Sequence, residues 1–481
     1  MNYAGANFDE QTRAFLQPAD YTNPTPQGRY HLVVVGAGPA GLISAIGAAG
    51  LGAKVALIER HRMGGDCLNV GCVPSKALLE YTAHHPDADF AGAFAWLREV
   101  RAGIAPHDSV ERYTEAGVDV YLGAAAFDEG GRVCVDGLPL DARRVVICTG
   151  ARADIPPIPG LRESAPLTNE TVFDLTTAPA SLTILGAGAI GCELALGFAR
   201  LGVDVDLFEL ADRVLPLEVR DASAEVAQAL RAAGVKLHLG HAVSSVTQTQ
   251  DGHSVEAGGV SVLSEQVLVA LGRRPNTEDL NLANAQVRVS ERGFIVTDAK
   301  LRTTNKSIYA AGDCTAALQF THHADAQARA VVQNALFAPT AKVDGLIVPH
   351  CTYTKPEVAS VGHNEDTLTA AGVAYDVYQF DFAELDRGRV EIEGDGFARV
   401  YTRRGSDQIL GATIVGHDAG EQIAPICMLM NNKLGLGNPS KMLFCYPTRS
   451  EYLKRLADAY TRSRFTPRVA GLFKRWLQFT G

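Results

Sequence analysis

The sequence predicts an α/β protein with two parallel-sheet folds of one kind and a third α/β region behind them. Two observations predict the pair. A strand, a glycine-rich turn, a helix and a second strand follow one another near residue 31, and the same order returns near residue 182. The third region is read from strand-like runs after about residue 345, such as Phe397-Ala398-Arg399-Val400-Tyr401 and Ile409-Leu410-Gly411-Ala412.

In the first repeat the apolar strand is His31-Leu32-Val33-Val34-Val35. The turn is Gly36-Ala37-Gly38-Pro39-Ala40-Gly41, an Ala/Gly-rich helix follows, and the next strand, Val55-Ala56-Leu57-Ile58, ends in Glu59. Gly36, Gly38 and Gly41 permit the tight turn and a close approach of pyrophosphate. The helix N-terminus faces the phosphates, and Glu59 can hold ribose hydroxyls. These are the marks of a Rossmann-like dinucleotide site. The second repeat runs from Leu182-Thr183-Ile184-Leu185 through Gly186, Gly188 and Gly191 to the strand Val203-Asp204-Val205-Asp206-Leu207-Phe208 and Glu209. A carboxylate at Glu209 accepts from a ribose 2′-OH and repels a 2′-phosphate. NADH is therefore favoured, with NADPH possible because Arg213 stands close by in sequence.

Between the repeats lies Gly64-Gly65-Asp66-Cys67-Leu68-Asn69-Val70-Gly71-Cys72-Val73-Pro74-Ser75-Lys76. Pro74 suits a first helical position, where no N–H is needed. A helix N-terminus and Lys76 would both favour a thiolate at Cys72. Thiolates attack disulfides and bind soft metals. The competing reading is two buried structural cysteines.

The reactive segment and the two fingerprints, in this order, resemble the pyridine nucleotide-disulfide oxidoreductases, which include glutathione reductase, dihydrolipoamide dehydrogenase and mercuric reductase. The likeness runs from about residue 28 onward. Thr149-Gly150-Ala151 looks like the turn closing the first flavin segment, and Gly272-Arg273-Arg274-Pro275-Asn276 like the return from the nicotinamide domain. Ala310-Ala311-Gly312-Asp313-Cys314 resembles the segment whose Asp touches the flavin ribityl and pyrophosphate. Phe320-Thr321-His322-His323-Ala324 resembles the stretch beside the flavin ring.

The resemblance implies FAD in the first site, with Gly65 beside it, and NAD(P)H in the second. It implies that Cys72 lies against the flavin while Cys67 exchanges with substrate. Lys76 and Glu193 match an ion pair near the flavin's reactive edge; otherwise they are a surface Lys and a buried helical Glu with another partner. The implied domains are an N-terminal extension over 1–27, FAD binding over 28–153 and 277–345, NAD(P)H binding over 154–276, and a dimerisation domain over 346–481 with a basic tail. A homodimer follows from the same likeness.

One position departs from the family. The usual His-Pro-Thr-x-x-Glu is here Tyr446-Pro447-Thr448-Arg449-Ser450-Glu451. Histidine can give and take a proton near neutrality, whereas Tyr is a poor base. Mercuric reductase also carries Tyr there, because Hg²⁺ needs thiolates rather than a proton shuttle. That enzyme also has a C-terminal cysteine pair, and this sequence has no cysteine after Cys445. Cys445 itself reads as a packing residue or, less favoured, an extra thiol at the substrate mouth. Ala189 stands where some relatives place a gating Tyr. The implied acceptor is a small disulfide with a good leaving group or a soft metal ion. The other readings are a direct flavin NAD(P)H oxidase or quinone reductase, and a slow redox-sensing flavoprotein.

Composition is consistent with this. The 481 residues are 47% hydrophobic and 20% charged, with a formal net charge of −10. No basic field for nucleic acid is evident, no apolar run is long enough to cross a bilayer, and no metal-ligand cluster stands out. Nine scattered cysteines do not form a secreted disulfide framework, so a cytoplasmic flavoenzyme is expected. Cys134, Cys148, Cys192 and Cys314 read as core residues. Residues 1–27, with Pro18, Pro24 and Pro26, read as a surface arm. The tail after Tyr452 reads as a helix packed on its own dimer or, less favoured, on a membrane surface, since Pro467 and Gly471 interrupt its pattern.

Overall fold

Both glycine fingerprints fold as parallel β–α–β units in the computed structural model, which describes residues 7–315, 318–392 and 394–481. Leu32–Val35 is buried at every position, as a strand covered on both faces must be. It lies at the centre of a five-stranded parallel sheet in the order Ile308–Ala310, Val145–Ile147, Leu32–Val35, Val55–Glu59, Val118–Leu122. The second fingerprint builds a four-stranded parallel sheet in the order Lys236–Leu239, Asp204–Glu209, Ser181–Leu185, Gln266–Val269.

The repeat is reproduced atom for atom at the turns. Gly36 N donates to Ile58 O at 2.7 Å, and Gly186 N donates to Phe208 O at 2.8 Å. Both glycines have φ near +100°, and a Cβ on either would stand 2.5 Å from a carbonyl oxygen just past the strand on its other side, that of Cys148 or of Ala270. No side chain fits there.

The chain divides into two compact units. The first holds both parallel sheets. The second comprises 187–193, 211–233 and 347–481. It is built on a five-stranded antiparallel sheet in the order Pro349–Thr352, Glu357–Gly362, Ile409–Gly416, Gly396–Arg403, Tyr375–Asp381. The two strands expected from sequence fall inside Gly396–Arg403 and Ile409–Gly416. Cys134, Cys148, Cys192 and Cys314 are buried, as expected, whereas Cys445 is exposed and does not pack within its own chain.

The N-terminal segment corrects the reading of a surface arm. Asn7 caps a helix, Phe8–Leu16, by accepting from Glu10 N, and the helix buries Thr12 and Leu16 in the core of the first unit. The prolines come only after this helix. Beyond it, Tyr21 donates to Val120 O at 2.8 Å, and Asn23 exchanges two hydrogen bonds with Leu122. Asp9 pairs with Arg101, a guanidinium only 1% exposed, and with Arg98 at 3.1 Å. Arg101 also donates to Asn69 O at 3.0 Å, so the N-terminal helix braces the segment that carries Cys67.

Asp9→Ala leaves a buried guanidinium short of its anion. It is expected to destabilise the protein by about 1–3 kcal/mol, below the 3–5 typical of fully buried pairs because Asp9 is half exposed. Denaturant unfolding of the variant measures this, and an unchanged midpoint would show that the pair carries no weight.

Candidate active site

Gly64 and Gly65 both have positive φ, +92° and +61°, and turn the chain into the short helix Gly65–Asn69. That helix presents Cys67. Asn69 holds the turn by donating to Met63 O at 3.0 Å and Gly65 O at 2.9 Å. The next helix, Cys72–His84, begins two residues earlier than Pro74 suggested, so Cys72 itself is the first helical residue. Pro74 is tolerated because the first intrahelical bond is Ser75 N to Gly71 O at 3.1 Å, leaving the Pro74 nitrogen with no bond to make.

Both cysteines are free thiols in this structure, Cys72 exposed and Cys67 partly so. The two are hydrogen-bonding neighbours. That bond, followed by burial, pushes the Cys67 thiol well up, while Thr321 and Lys76 pull it down. Cys72 Sγ also lies 3.7 Å from the Thr321 hydroxyl. Burial of two structural cysteines therefore does not describe the pair.

The redox segment rests on the first fingerprint. A Cβ on Gly65 would stand 2.5 Å from Gly38 Cα. The helix Pro39–Gly50 that follows has Gly38 at its N-cap with no side chain capping it. This leaves backbone N–H groups and the positive helix end for a phosphate. A cavity of about 320 Å³ opens beside the turn, lined by Gly36, Glu59, Gly123, Thr149, Arg152 and Asn276 among others. Glu59 accepts from Ala37 N and His61 N at 2.7 and 2.8 Å, and burial pushes its carboxyl up. Thr149 and Asn276 exchange hydrogen bonds at 2.7 and 3.0 Å, tying the turn at Gly150 to the strand after Gly272. Gly312, at φ +80°, donates to Gln327, and burial raises the neighbouring Asp313 carboxyl while Arg273 lowers it. An uncapped helix end, glycines without room for side chains and a nucleoside-sized cavity fit FAD.

Three residues of this site were not singled out from sequence. Arg273 bridges Asp66 and Asp313, the latter at 3.6 Å, and donates to Ala151 O at 2.7 Å. Thr321 reaches Cys72 across 249 residues of sequence. Asp66 adjoins Cys67, and an acid beside a reactive thiol was the available signal.

In the second fingerprint, a Cβ on Gly188 would meet nothing within 4 Å. Gly191 is buried in the helix Ala189–Arg200, whose first residue, Ala189, is exposed. Glu209 ends its strand partly exposed. Arg213 donates to Pro216 O at 2.9 Å and pairs with Asp366 at 3.2 Å, within the second unit.

Lys76 belongs to the first unit. Glu193 belongs to the second, where it is buried and accepts from Tyr353 N at 2.9 Å. Tyr446 is 70% exposed, and its hydroxyl donates to Asp386 at 2.9 Å rather than to Glu451. Glu451 pairs instead with Arg455 at 3.6 Å. The Asp386 carboxylate raises the Tyr446 hydroxyl above its ordinary range. His350 is held by Glu218 at 2.7 Å, and His417 pairs with Asp418 at 2.8 Å.

Residues 30–328 match the pyridine nucleotide-disulphide oxidoreductases, and 348–457 match the dimerisation domain of that family. The chain belongs to this family. It is an NAD(P)H-dependent FAD disulfide oxidoreductase by that membership, and its dimerisation domain points to a homodimer. It is 32% identical over 454 residues to mercuric reductase of Staphylococcus aureus, covering 90% of this chain and 83% of that one. It is 33% identical over 441 residues to dihydrolipoyl dehydrogenase of Chlamydia muridarum, covering 88% and 95%. Among solved structures, the Cu(II) complex of the HOCl-induced flavoprotein disulfide reductase RclA from Escherichia coli superposes with a TM-score of 0.83 at 30% identity. That match covers 90% of this chain and all of that one. Among the described residues no helix is long and apolar enough to cross a membrane, and no group of three or more His, Cys, Asp or Glu is placed to hold a metal ion.

Gly65→Ala forces a Cβ against Gly38 Cα at a positive φ. Strain of about 1–3 kcal/mol is expected there, hence roughly five- to 150-fold weaker FAD retention, read as the flavin-to-protein ratio. Full retention would show that the two turns are not coupled.

Proposed function

We propose that this oxidoreductase takes electrons from NADH through FAD to a Cys67–Cys72 disulfide, and passes them to a small disulfide with a good leaving group or a soft metal ion. The hydrogen-bonded thiol pair on the first fingerprint carries this reading. In keeping with it, residues 28–153 and 277–345 would hold FAD, 154–276 the nicotinamide nucleotide, and 346–481 would form the dimerisation domain with its basic tail. When bound, FAD supplies hydride acceptance from the nicotinamide and two-electron reduction of a disulfide.

The chain's own residues supply the thiol chemistry. Cys72, at a helix N-terminus, is the better-placed thiolate. Cys67 passes its proton to the Cys72 thiolate across the bond between them, and the Cys67 thiolate so formed attacks the substrate disulfide; the proton leaves Cys72 for solvent before the second step. One thiolate leaves and a mixed disulfide forms. Cys72 then attacks the Cys67 sulfur, the internal disulfide closes, and the second thiolate leaves. Neither departure has a histidine to protonate it. Tyr446, held protonated by Asp386, would offer at most a hydrogen bond, and only by turning its single O–H away from Asp386, in the active site that its exposed hydroxyl would complete across the dimer. A thiol of low pKa leaves without that help. A metal ion bridging two thiolates needs no proton at all, and the Cu(II) complex described for the relative RclA favours this second acceptor class.

Across aromatic and alkyl disulfides, turnover is expected to rise as the leaving thiol becomes more acidic, with Tyr446→Phe slowing all modestly. The pH profile below the ordinary tyrosine range should be flat with respect to this residue, since Asp386 raises rather than lowers its hydroxyl. Cys67→Ser should abolish disulfide turnover; if it leaves turnover intact, direct flavin chemistry replaces the relay, and negligible turnover of the native enzyme with every acceptor indicates a sensor.

Glu209 ends its strand partly exposed, at the fingerprint position expected to meet the ribose, while Arg213 is engaged by Asp366 and Pro216. A kcat/KM for NADH at least about tenfold that for NADPH is expected, since the carboxylate would oppose a 2′-phosphate. Comparing the two nucleotides in steady state decides it.

A further inference from the structure

The last helix, Pro467–Thr480, lies beyond residues 348–457, the stretch that matches the family's dimerisation domain. Pro467 and Gly471 do not interrupt it. Pro467 takes its first position, Thr466 caps it by accepting from Val469 N, and the helix runs on through Gly471. Its pattern is therefore continuous, and it separates into two halves. At 3.6 residues per turn, Val469, Leu472, Phe473, Trp476, Leu477 and Phe479 share one half of the cylinder. Arg468, Lys474 and Arg475 occupy the other half. No residue of the helix is buried: Trp476 is 64% and Phe479 85% exposed. The final 23 residues carry five basic and no acidic side chains, in a chain whose formal net charge is −10.

We propose that this helix is a surface anchor for an anionic lipid bilayer. The charge pattern favours lipid over a protein partner. Packed on a protein by its apolar half, the helix would turn its basic half to water, where those charges make no contact. On an anionic bilayer both halves act: the aromatic side sinks to the acyl boundary, and the long basic side chains reach up to phosphate headgroups. At 14 residues the helix lies in the interface rather than spanning it. Attraction of the basic side chains, local to the tail, opposes the repulsion an acidic protein meets at such a surface. A homodimer presents two anchors, so weak single contacts combine.

The test is co-sedimentation of the FAD-loaded dimer with vesicles of phosphatidylcholine alone and of phosphatidylcholine with an equal part of phosphatidylglycerol. Binding is expected only to the anionic vesicles and should fall with added salt. Deleting the residues after Ser463, or Phe473→Glu with Trp476→Glu, should weaken it at least tenfold. Arg468→Gln with Lys474→Gln and Arg475→Gln should weaken it comparably. In each variant, flavin content and dimer mass should remain those of the native protein. The proposal is overturned if the native dimer ignores anionic vesicles, if it binds neutral ones equally well, or if the truncated dimer binds as tightly as the native one. It is equally overturned if truncation converts dimer to monomer, which would make the helix part of the subunit contact.

Discussion

Two backbones meet where no side chain could stand, and the candidate site depends on it. Gly38 closes the first nucleotide turn, Gly65 opens the helix bearing Cys67, and a single Cβ between them would stand 2.5 Å from the opposing Cα. Because the turns touch, a group held by the uncapped helix at Pro39 lies on the element that carries the thiols. The hydrogen bonds of Asn69 to Met63 and Gly65 keep that element wound. Arg101 then ties it to Asp9 in the N-terminal helix. Positioning here combines that backbone proximity and one buried guanidinium with the burial of Met63 and Leu68 in the apolar core of the first unit.

Charge is distributed to match. Asp66 and Asp313 approach Arg273 from two distant segments, so a cation sits between two carboxylates beside the thiol pair. Burial alone would raise the Asp313 carboxyl, and Arg273 opposes that shift. In the second unit, Glu218 has a comparable role, accepting from His350 and Ser360 at 2.7 Å each. Each cluster joins residues far apart in sequence, which fixes the loops that carry them.

What sequence made legible was local. The fingerprints, the cysteine segment and the acidic strand ends at Glu59 and Glu209 are short-range patterns whose spacing encodes the turn. The partners of Arg273, Thr321 and Tyr446 were not legible, since Asp66, Cys72 and Asp386 lie 207, 249 and 60 residues away. The helix Phe8–Leu16 was obscured by the prolines after it, although its apolar stripe and its cap at Asn7 were present. At Pro74 the reading was right in kind and off by two residues, because any of the first-turn nitrogens can dispense with its hydrogen. Gly471 misled in the other direction: one glycine weakens an isolated helix but does not end it.

The order of strands in the first sheet has a consequence for the chain as it is made. Val145–Ile147 is flanked on one side by Leu32–Val35, available early, and on the other by Ile308–Ala310. About 160 residues separate Ile147 from Ile308, and they include the whole second parallel sheet. At synthesis rates of about 5–20 residues per second, the outer edge of Val145–Ile147 stays unpaired for roughly 10–30 s. An unpaired apolar edge is a template for another chain. Until the ribosome delivers Ile308–Ala310, that edge of the nascent chain is open to such pairing.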